Sequence, residues 1–169
     1  EYLTEIIDCK KVKVWSRSEK GIDSYINDMS FFGWNLEKAK SPDEIAATCD
    51  LIITATPSKT PLLKSEYLKK GAHINAIGSD SPEKNELDKN ILKNASLIVA
   101  DSIEQCIERG EISHALSSGA IKKIDIYELG EILKKNTRLH CGENENSVAD
   151  LTGVAVQDIQ IAKAVFKEC

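Results

Sequence analysis

The stretch 50-DLIITATPSKTPLLKSEYLKKGAHINAIGSD-80 decides the fold. It contains two short apolar runs, Leu51–Thr54 and residues 74–77, in which polar and apolar residues do not alternate. Such runs are typical of strands buried on both faces of a parallel sheet. Each run ends in small, polar or turn-forming residues: Ala55, Thr56, Pro57 and Ser58 after the first, and Gly78, Ser79 and Asp80 after the second. Because ligands of open α/β sheets bind outside the carboxyl ends of the strands, we expect both loops to face one crevice.

Composition sets the outer limits. With 169 residues, 41% hydrophobic and 29% charged, the chain is predicted to form one sizeable core. The net charge of −5 is modest and no basic stripe carries interleaved aromatics, so nucleic acid is not an expected partner. No apolar run approaches membrane-spanning length, so no membrane is expected either. Five scattered cysteines without close pairs indicate reduced thiols and a cytoplasmic protein.

Helix and strand signals alternate along most of the chain. Strands are predicted at residues 11–15, 34–36, 51–54, 74–77 and 97–100, and helices at 19–32, from 42, at 66–69 and at 86–92. This alternation predicts a Rossmann-type, doubly wound and mostly parallel α/β sheet. Helices are then predicted at residues 102–109, 112–116 and 126–133, followed by an irregular stretch at 140–147.

The two ends of the chain differ from this pattern. Tyr2, Leu3, Ile6 and Ile7 have helical spacing before the first strand signal, so the first strand of the sheet and its glycine-rich turn are predicted to be absent. Residues 150–153 lead into an amphipathic helix that continues to the carboxyl terminus. Its wide apolar stripe requires a partner surface.

The residues after the first strand signal bear on the cofactor. In this position, an Asp or Glu normally binds the ribose 2′-hydroxyl of NAD. Here the chain has Ser16, Arg17 and Ser18, two hydroxyls around a planar guanidinium that suits phosphate. We therefore expect NADP, with NAD possible. The alternative is a helix cap beside a solvated arginine.

Four separated motifs resemble the ornithine cyclodeaminase and mu-crystallin family in order and spacing. They are residues 14–18 (VWSRS), 53–61 (ITATPSKTP), 70–82 (KGAHINAIGSDSP) with 86–88 (ELD), and 150–158 (DLTGVAVQD). The resemblance implies a dimeric nicotinamide-dependent protein in which a central Rossmann domain is flanked by a dimerisation domain made from both chain ends. Residues 1–149 would then be the Rossmann domain, without its glycine-rich motif. Residues 150–169 would return to the dimerisation domain.

Asp80 is the candidate acid/base residue. It follows a strand at the crevice, where partial burial beside a bound nicotinamide is expected to raise the pKa of its carboxyl. The resemblance implies an aspartate here that manages the proton on the substrate nitrogen. The alternative is a turn residue before Pro82. Thr152 and Gly153 open the last helix, whose amides can face a polar ligand, and the resemblance brings this turn against the nicotinamide.

Together these features predict an NAD(P)-dependent oxidoreductase. By resemblance, it would transfer hydride between a nicotinamide and the C–N carbon of an amino acid or a cyclic ketimine, as a reductase, a dehydrogenase or a cyclodeaminase. The alternative is a non-catalytic protein, either an NADPH-regulated ligand-binding protein or a crystallin. No metal is predicted, because His73, His114 and His140 lack ligand spacing.

Overall fold

The computed structural model describes residues 6–135, 139 and 141–168. Tyr2 and Leu3, for which helical spacing was noted, lie outside these residues, and so does His140. The strands are β1 (Lys11–Val14), β2 (Asn35–Lys38), β3 (Leu51–Thr54), β4 (His73–Ala76), β5 (Leu97–Ala100), β6 (Ile126–Glu128) and β7 (Ser147–Asp150). The helices are α1 (Glu19–Met29), α2 (Pro42–Thr48), α3 (Lys89–Asn94), α4 (Ile103–Glu108), α5 (Glu111–Ser117), α6 (Leu129–Lys134) and α7 (Ala155–Glu168).

The strands form two parallel sheets. Five strands pair in the order β3-β4-β7-β5-β6, and β1 pairs with β2 in a separate sheet. Helix α2 contacts both parts: Glu44 Oε1 lies 2.5 Å from Nζ of Lys13 in β1, and the carbonyl of Ala46 accepts a hydrogen bond of 2.8 Å from Lys69 N, just before β4. The prediction of a Rossmann-type, mostly parallel α/β sheet is confirmed.

Strand β7 lies at the centre of the larger sheet, and the sequence analysis did not predict it. Residues 141–146 are irregular as predicted, but Ser147, the last residue of that predicted stretch, begins this strand. The strand pairs with β4 on one side and β5 on the other, and Val148 and Ala149 are buried between them. Its sequence has only two apolar residues between Ser147 and Asp150. A segment this short has no detectable periodicity. Its strand conformation depends on pairing with the neighbouring strands.

Three predicted helices also differ from the structure. Helix α3 begins at Lys89 rather than at Glu86, because Asp88 caps it and Glu86 is turned into the interior. The segment predicted as one helix at residues 126–133 is divided between β6 and α6. The helix predicted at residues 66–69 is a single 3₁₀ turn, Ser65–Tyr67. Apolar residues at helical spacing occur in the first two of these segments, such as Leu87 with Ile91 and Leu129 with Ile132, so the pattern overestimated the helix lengths there.

The core lies between the larger sheet and its helices. Ile52, Ile74 and Val148, on three neighbouring strands, are almost fully buried together with Ile91 of α3 and Ile112 of α5. Helix α7, by contrast, is exposed along its described length.

Candidate functional site

The loops of interest leave the larger sheet along one line. Thr54 pairs with Ala76, Ala76 with Asp150, and Asp150 with Ala100, so β3, β4, β7 and β5 end in register. The following residues continue this edge, since Ile77 N donates to the carbonyl of Thr54 at 2.9 Å. The loops after these four strands therefore begin side by side at the carboxyl edge of the sheet.

Glu86 connects two of these loops, and sequence reasoning did not identify it as a site residue. Its side chain is fully buried. One carboxylate oxygen accepts hydrogen bonds from Thr56 N at 2.7 Å and Thr56 Oγ1 at 2.6 Å, and the other accepts from Gly78 N at 3.1 Å. A Cβ atom on Gly78 would overlap both this carboxylate and the Thr56 carbonyl. A glycine is therefore required for the close approach of the two loops.

Glu111, at the start of α5, is a second buried carboxylate that the sequence analysis missed. It accepts hydrogen bonds from the hydroxyl of Ser79, from Glu86 N at 2.7 Å, from Leu87 N at 2.9 Å and from Asn85 Nδ2 at 2.6 Å. Burial raises the pKa of the Glu111 carboxyl, while the hydrogen bonds from Ser79, Glu86 N and Leu87 N act in the opposite direction. Glu111 thus holds both the chain segment that carries Glu86 and the loop after β4.

Asp101 and Gln105 hold the turn after β7. Asp101 accepts hydrogen bonds from Gly153 N at 2.8 Å and from Thr152 Oγ1 at 3.3 Å. Gln105 Nε2 donates to Thr152 Oγ1 at 2.7 Å and to the carbonyl of Gly153 at 2.5 Å. The conformation of this turn, in which Gly153 has a φ of 84°, is therefore set by side chains from the loop after β5 and from α4.

Asp150, the last residue of β7, is buried with incomplete hydrogen bonding. Its Oδ2 accepts from Ile112 N at 2.8 Å, whereas its Oδ1 has no partner among the described residues. Burial, with a contribution from the charges of Glu111 and Asp101, raises the pKa of Asp150 to about 8. The neighbouring thiol of Cys106 is also affected, because burial and the Asp150 charge raise its pKa to about 12.

Most hydroxyls in the loops after β3, β4 and β7, which are expected to line the crevice, form hydrogen bonds within the protein. Thr56 donates to Glu86, Ser79 to Glu111, and Ser58 Oγ to the carbonyl of Thr60 at 2.6 Å. Thr152 accepts from Gln105 and donates to Asp101. These hydroxyls therefore fix the loops, whereas Ala55, Pro57 and Gly153 are exposed and accessible to a ligand.

Asp80 lies on the exposed side of the loop after β4. Its Oδ1 is 2.5 Å from Lys84 Nζ, and its side chain remains 58% exposed. The hydrogen bond from Lys84 lowers the pKa of the Asp80 carboxyl. The sequence analysis expected a raised pKa, and in this structure the direction is the opposite, because Lys84 provides a positive partner and burial is slight.

The segment after β1 is more open. Ser18 caps α1, because its Oγ accepts a hydrogen bond of 3.1 Å from Gly21 N. This agrees with the alternative in which the segment is a helix cap beside a solvated arginine. Arg17 is exposed and makes no hydrogen bond or ion pair with the described part of the chain. Ser16 lies beside Gly21, where an added Cβ would come within 3.2 Å of the Ser16 hydroxyl. The guanidinium of Arg17 is thus available to an anion.

The histidines that the structure describes have local roles. His73 bonds to Ser147 Oγ at 2.8 Å and to Asn75 Oδ1 at 3.2 Å, and His114 Nε2 lies 2.8 Å from the carbonyl of Lys84. Within the described ranges, no group of three His, Cys, Asp or Glu residues has the arrangement of a metal site. Likewise, none of the described helices is long and apolar enough to cross a bilayer.

A parallel sheet whose carboxyl edge carries glycine-containing loops in register is the arrangement of Rossmann-like α/β domains. Residues 1–169 match the ornithine cyclodeaminase/mu-crystallin family, and the chain belongs to that family.

Two curated relatives and one solved structure illustrate the similarity. The chain is 36% identical over 168 residues to an alanine dehydrogenase of Archaeoglobus fulgidus, covering 99% of this chain and 51% of that protein. It is 34% identical over 167 residues to the ketimine reductase mu-crystallin of Mus musculus, covering 98% and 50%. An archaeal alanine dehydrogenase dimer with bound NAD superposes with a TM-score of 0.88 at 35% identity, over 98% of this chain and 51% of that one. The chain thus spans about half the length of the curated relatives it matches.

Proposed function

We propose that this chain is the dinucleotide-binding part of an NAD(P)-dependent oxidoreductase acting on C–N bonds. Hydride would pass between the nicotinamide and the nitrogen-bearing carbon of an amino acid or a cyclic ketimine. The observation that carries this proposal is that Thr54, Ala76 and Asp150 lie in register. Three loops, each of which contains part of a family motif, therefore start side by side at one edge of the sheet. The alanine dehydrogenase and ketimine reductase relatives support the reaction class.

The residues present fit a nicotinamide dinucleotide. The exposed small residues Ala55 and Pro57 allow a flat ligand to approach the backbone of the loop after β3, and Gly78 lets the neighbouring loop pack closely against that loop. The open guanidinium of Arg17, next to Ser16, suits a 2′-phosphate and favours NADP over NAD. A similar solved structure holds NAD, so NAD remains the second candidate cofactor. The bound nicotinamide would supply the hydride chemistry.

Asp80 would manage the proton on the substrate nitrogen. Its lowered pKa keeps the carboxylate charged at neutral pH, so it would pair with a protonated substrate nitrogen. It would take up a proton only after this nitrogen has displaced Lys84, because the Lys84 charge lowers the basicity of the carboxylate. The exposed side chain can reach a ligand at the crevice, and a cationic substrate nitrogen would compete with Lys84 for it. Asp80 would therefore exchange its contact with Lys84 for a contact with the substrate nitrogen when substrate binds.

The test is the Asp80→Asn variant of the full-length protein that contains this chain. Asparagine keeps the size of the side chain but cannot take up the proton, so turnover should fall by about 10²–10⁴-fold while dinucleotide binding survives. The assays would use cyclic ketimines, ornithine and alanine, with NADH and NADPH separately. The matched control is Glu83→Gln, an exposed carboxylate in the same loop. Turnover of Asp80→Asn within a few-fold of the parent would show that Asp80 is a turn residue.

A second candidate function is an NADPH-regulated ligand-binding protein or a crystallin that retains the dinucleotide fold. The similarity to a mu-crystallin supports it. It predicts dinucleotide binding without turnover over the whole substrate panel. Measurable turnover of a single ketimine or amino acid would exclude it.

We further propose that the full-length protein is a homodimer in which α7 belongs to the dimerisation domain. The expected boundary at residue 150 moves to the start of this helix, because Asp150 is the last residue of the central strand β7. Apolar residues of α7 are strongly exposed, Phe166 at 83% and Ile161 at 64% of their surface. An apolar surface of this kind is typical of an interface. The structurally similar alanine dehydrogenase is itself a dimer.

We also propose a cytoplasmic location. The free thiols Cys9, Cys49, Cys106 and Cys141 support it.

A further inference from the structure

We propose that Glu86 is a positioning residue that sets the spacing of the two dinucleotide-facing loops after β3 and β4. The inference rests on the proposed function for its catalytic consequence. The arrangement itself stands on the contacts of a fully buried carboxylate that joins these two loops. Glu86 reaches the cofactor only through other residues.

The carboxylate replaces backbone pairing where the sheet ends. The last hydrogen bond between β3 and β4 in this region runs from Ile77 N to the carbonyl of Thr54. Beyond it, the next amides of the two loops, Thr56 N and Gly78 N, both donate to Glu86. Each strand continuation is thus held through one shared carboxylate rather than by its neighbour.

The groups that hydrogen-bond to this side chain in the described part of the chain are all donors. The Thr56 amide and hydroxyl meet one oxygen, and the Gly78 amide meets the other. A carboxylate has acceptor sites on both oxygens, whereas a glutamine amide presents two hydrogens on one side. An isosteric amide would therefore leave at least one buried donor without an acceptor.

Glu86 is itself held on a rigid support. Its amide donates to Glu111, and its carbonyl accepts from Leu62 N at 2.7 Å and Leu63 N at 3.1 Å. Leu63 and Leu87 also form an isolated parallel bridge. Since its backbone is fixed on both sides, the Glu86 carboxylate has a defined position from which to hold the loops.

The decisive experiment is Glu86→Gln in the full-length protein. The Kd and KM for the nicotinamide dinucleotide should rise about tenfold or more, because hydrogen bonds to a charged group each contribute roughly 1.5–3 kcal/mol. With saturating dinucleotide, kcat should stay within about threefold, because Glu86 does not touch the reacting atoms. Hydrogen exchange at the amides of Thr56 and Gly78 should accelerate. The matched control is Glu108→Gln, an exposed glutamate at the end of α4.

A double-mutant cycle identifies the path of the effect. Thr56→Val removes the hydroxyl and keeps the amide donor, so its effect on dinucleotide Kd should be much smaller in a Glu86→Gln background than in the parent. If Glu86→Gln fails to fold, Thr56→Val and Gly78→Ala still disturb the same junction from the loop side. Gly78→Ala forces a Cβ against the carboxylate and should weaken dinucleotide binding as well.

Two results would overturn the proposal. The first is an unchanged Kd together with unchanged amide protection in Glu86→Gln, and the second is strict additivity of the cycle. A parent protein that binds no dinucleotide would contradict the proposed function instead. In that case, exchange at Thr56 and Gly78 still decides whether Glu86 holds the two loops.

Discussion

Two kinds of loop leave the parallel strands of this chain, and they differ in how their polar groups are satisfied. The loops after β3, β4 and β7 are held by buried carboxylates and by Asp101. These groups accept hydrogen bonds from Thr56, Ser79 and Gly153. After β1, the exposed guanidinium of Arg17 has no partner among the residues that the structure describes. The first group is built as a rigid support, and the second leaves a charge open.

This difference assigns separate tasks to the two regions. Loops whose donors are already satisfied can shape a ligand site without reorganising, which lowers the cost of binding. An open guanidinium can instead distinguish ligands by charge. We therefore expect changes in the carboxylate-held region to alter stability and general dinucleotide affinity. Changes after β1 should alter the preference between NADP and NAD.

The largest expected effect comes from Asp150, at the centre of the carboxylate-held region. Its pKa rises from its ordinary value of 3.8 to about 8, mainly by burial, and Glu111, Asp101 and the Cys106 thiol face it. Between these values, the folded state binds more protons than the unfolded state, so stability must fall as pH rises. The Asp150 contribution to this slope is at most about 1.4 kcal/mol per pH unit.

Asp150→Asn should flatten the dependence of the unfolding free energy on pH between about 4 and 8. Urea unfolding at several pH values in this window measures it. A smaller slope of the same sign should remain, because the pKa of Glu111 is raised too. The control is Asp8→Asn, an exposed carboxylate before β1, which should leave the slope unaltered. An unflattened slope in Asp150→Asn would mean that Asp150 is charged in the folded protein throughout this range.

The sequence predicted the parts of this region that have a pattern. Strands β3 and β5 were predicted with their bounds, because each is a contiguous apolar run that ends at turn or polar residues. Strand β7 was missed because two apolar residues between Ser147 and Asp150 have no period to read. The loops at the strand ends could be located because the topology of a parallel sheet brings these ends together.

The buried acids could not be predicted by the same reasoning. Glu86 and Glu111 are common residue types in a chain that is 29% charged, and a glutamate is usually exposed. Their burial depends on donors that the fold collects from distant segments, such as Thr56 and Ser79. In this structure, the pKa of Asp80 is shifted in the direction opposite to the one expected beside a bound nicotinamide, for a related reason. Lys84, four residues later, became its partner only through the turn between them.

Arg17→Ala tests the open region and should produce the next largest effect. Loss of a charge-assisted phosphate contact, roughly 1.5–3 kcal/mol, should weaken NADPH binding by about tenfold or more and leave NADH nearly unchanged. Calorimetric titration of the full-length protein with each dinucleotide measures both. The unfolding free energy should hardly change, because Arg17 is exposed and makes no hydrogen bond or ion pair with the described residues. Equal losses for NADPH and NADH would show that Arg17 does not bind the 2′-phosphate.

Ser18 has the smallest expected effect and separates the two tasks within one residue. Its oxygen accepts from Gly21 N as the cap of α1, which leaves its hydroxyl hydrogen for a phosphate. Ser18→Ala should therefore lower the unfolding free energy by about 1 kcal/mol, the typical cost of a lost N-cap. Its effect on NADPH affinity should be smaller than that of Arg17→Ala, because it removes no charge.

Ser18→Asp completes the comparison, because aspartate caps helices as well as serine does. Stability should return to the parent value, and helix formation at Glu19 should be preserved. A carboxylate beside the 2′-phosphate should nonetheless weaken NADPH more than NADH, since like charges repel. Unequal weakening with intact stability would place the phosphate next to the start of α1. Equal affinities of Ser18→Asp and the parent for NADPH would mean that Ser18 serves only as a helix cap and that the phosphate binds elsewhere.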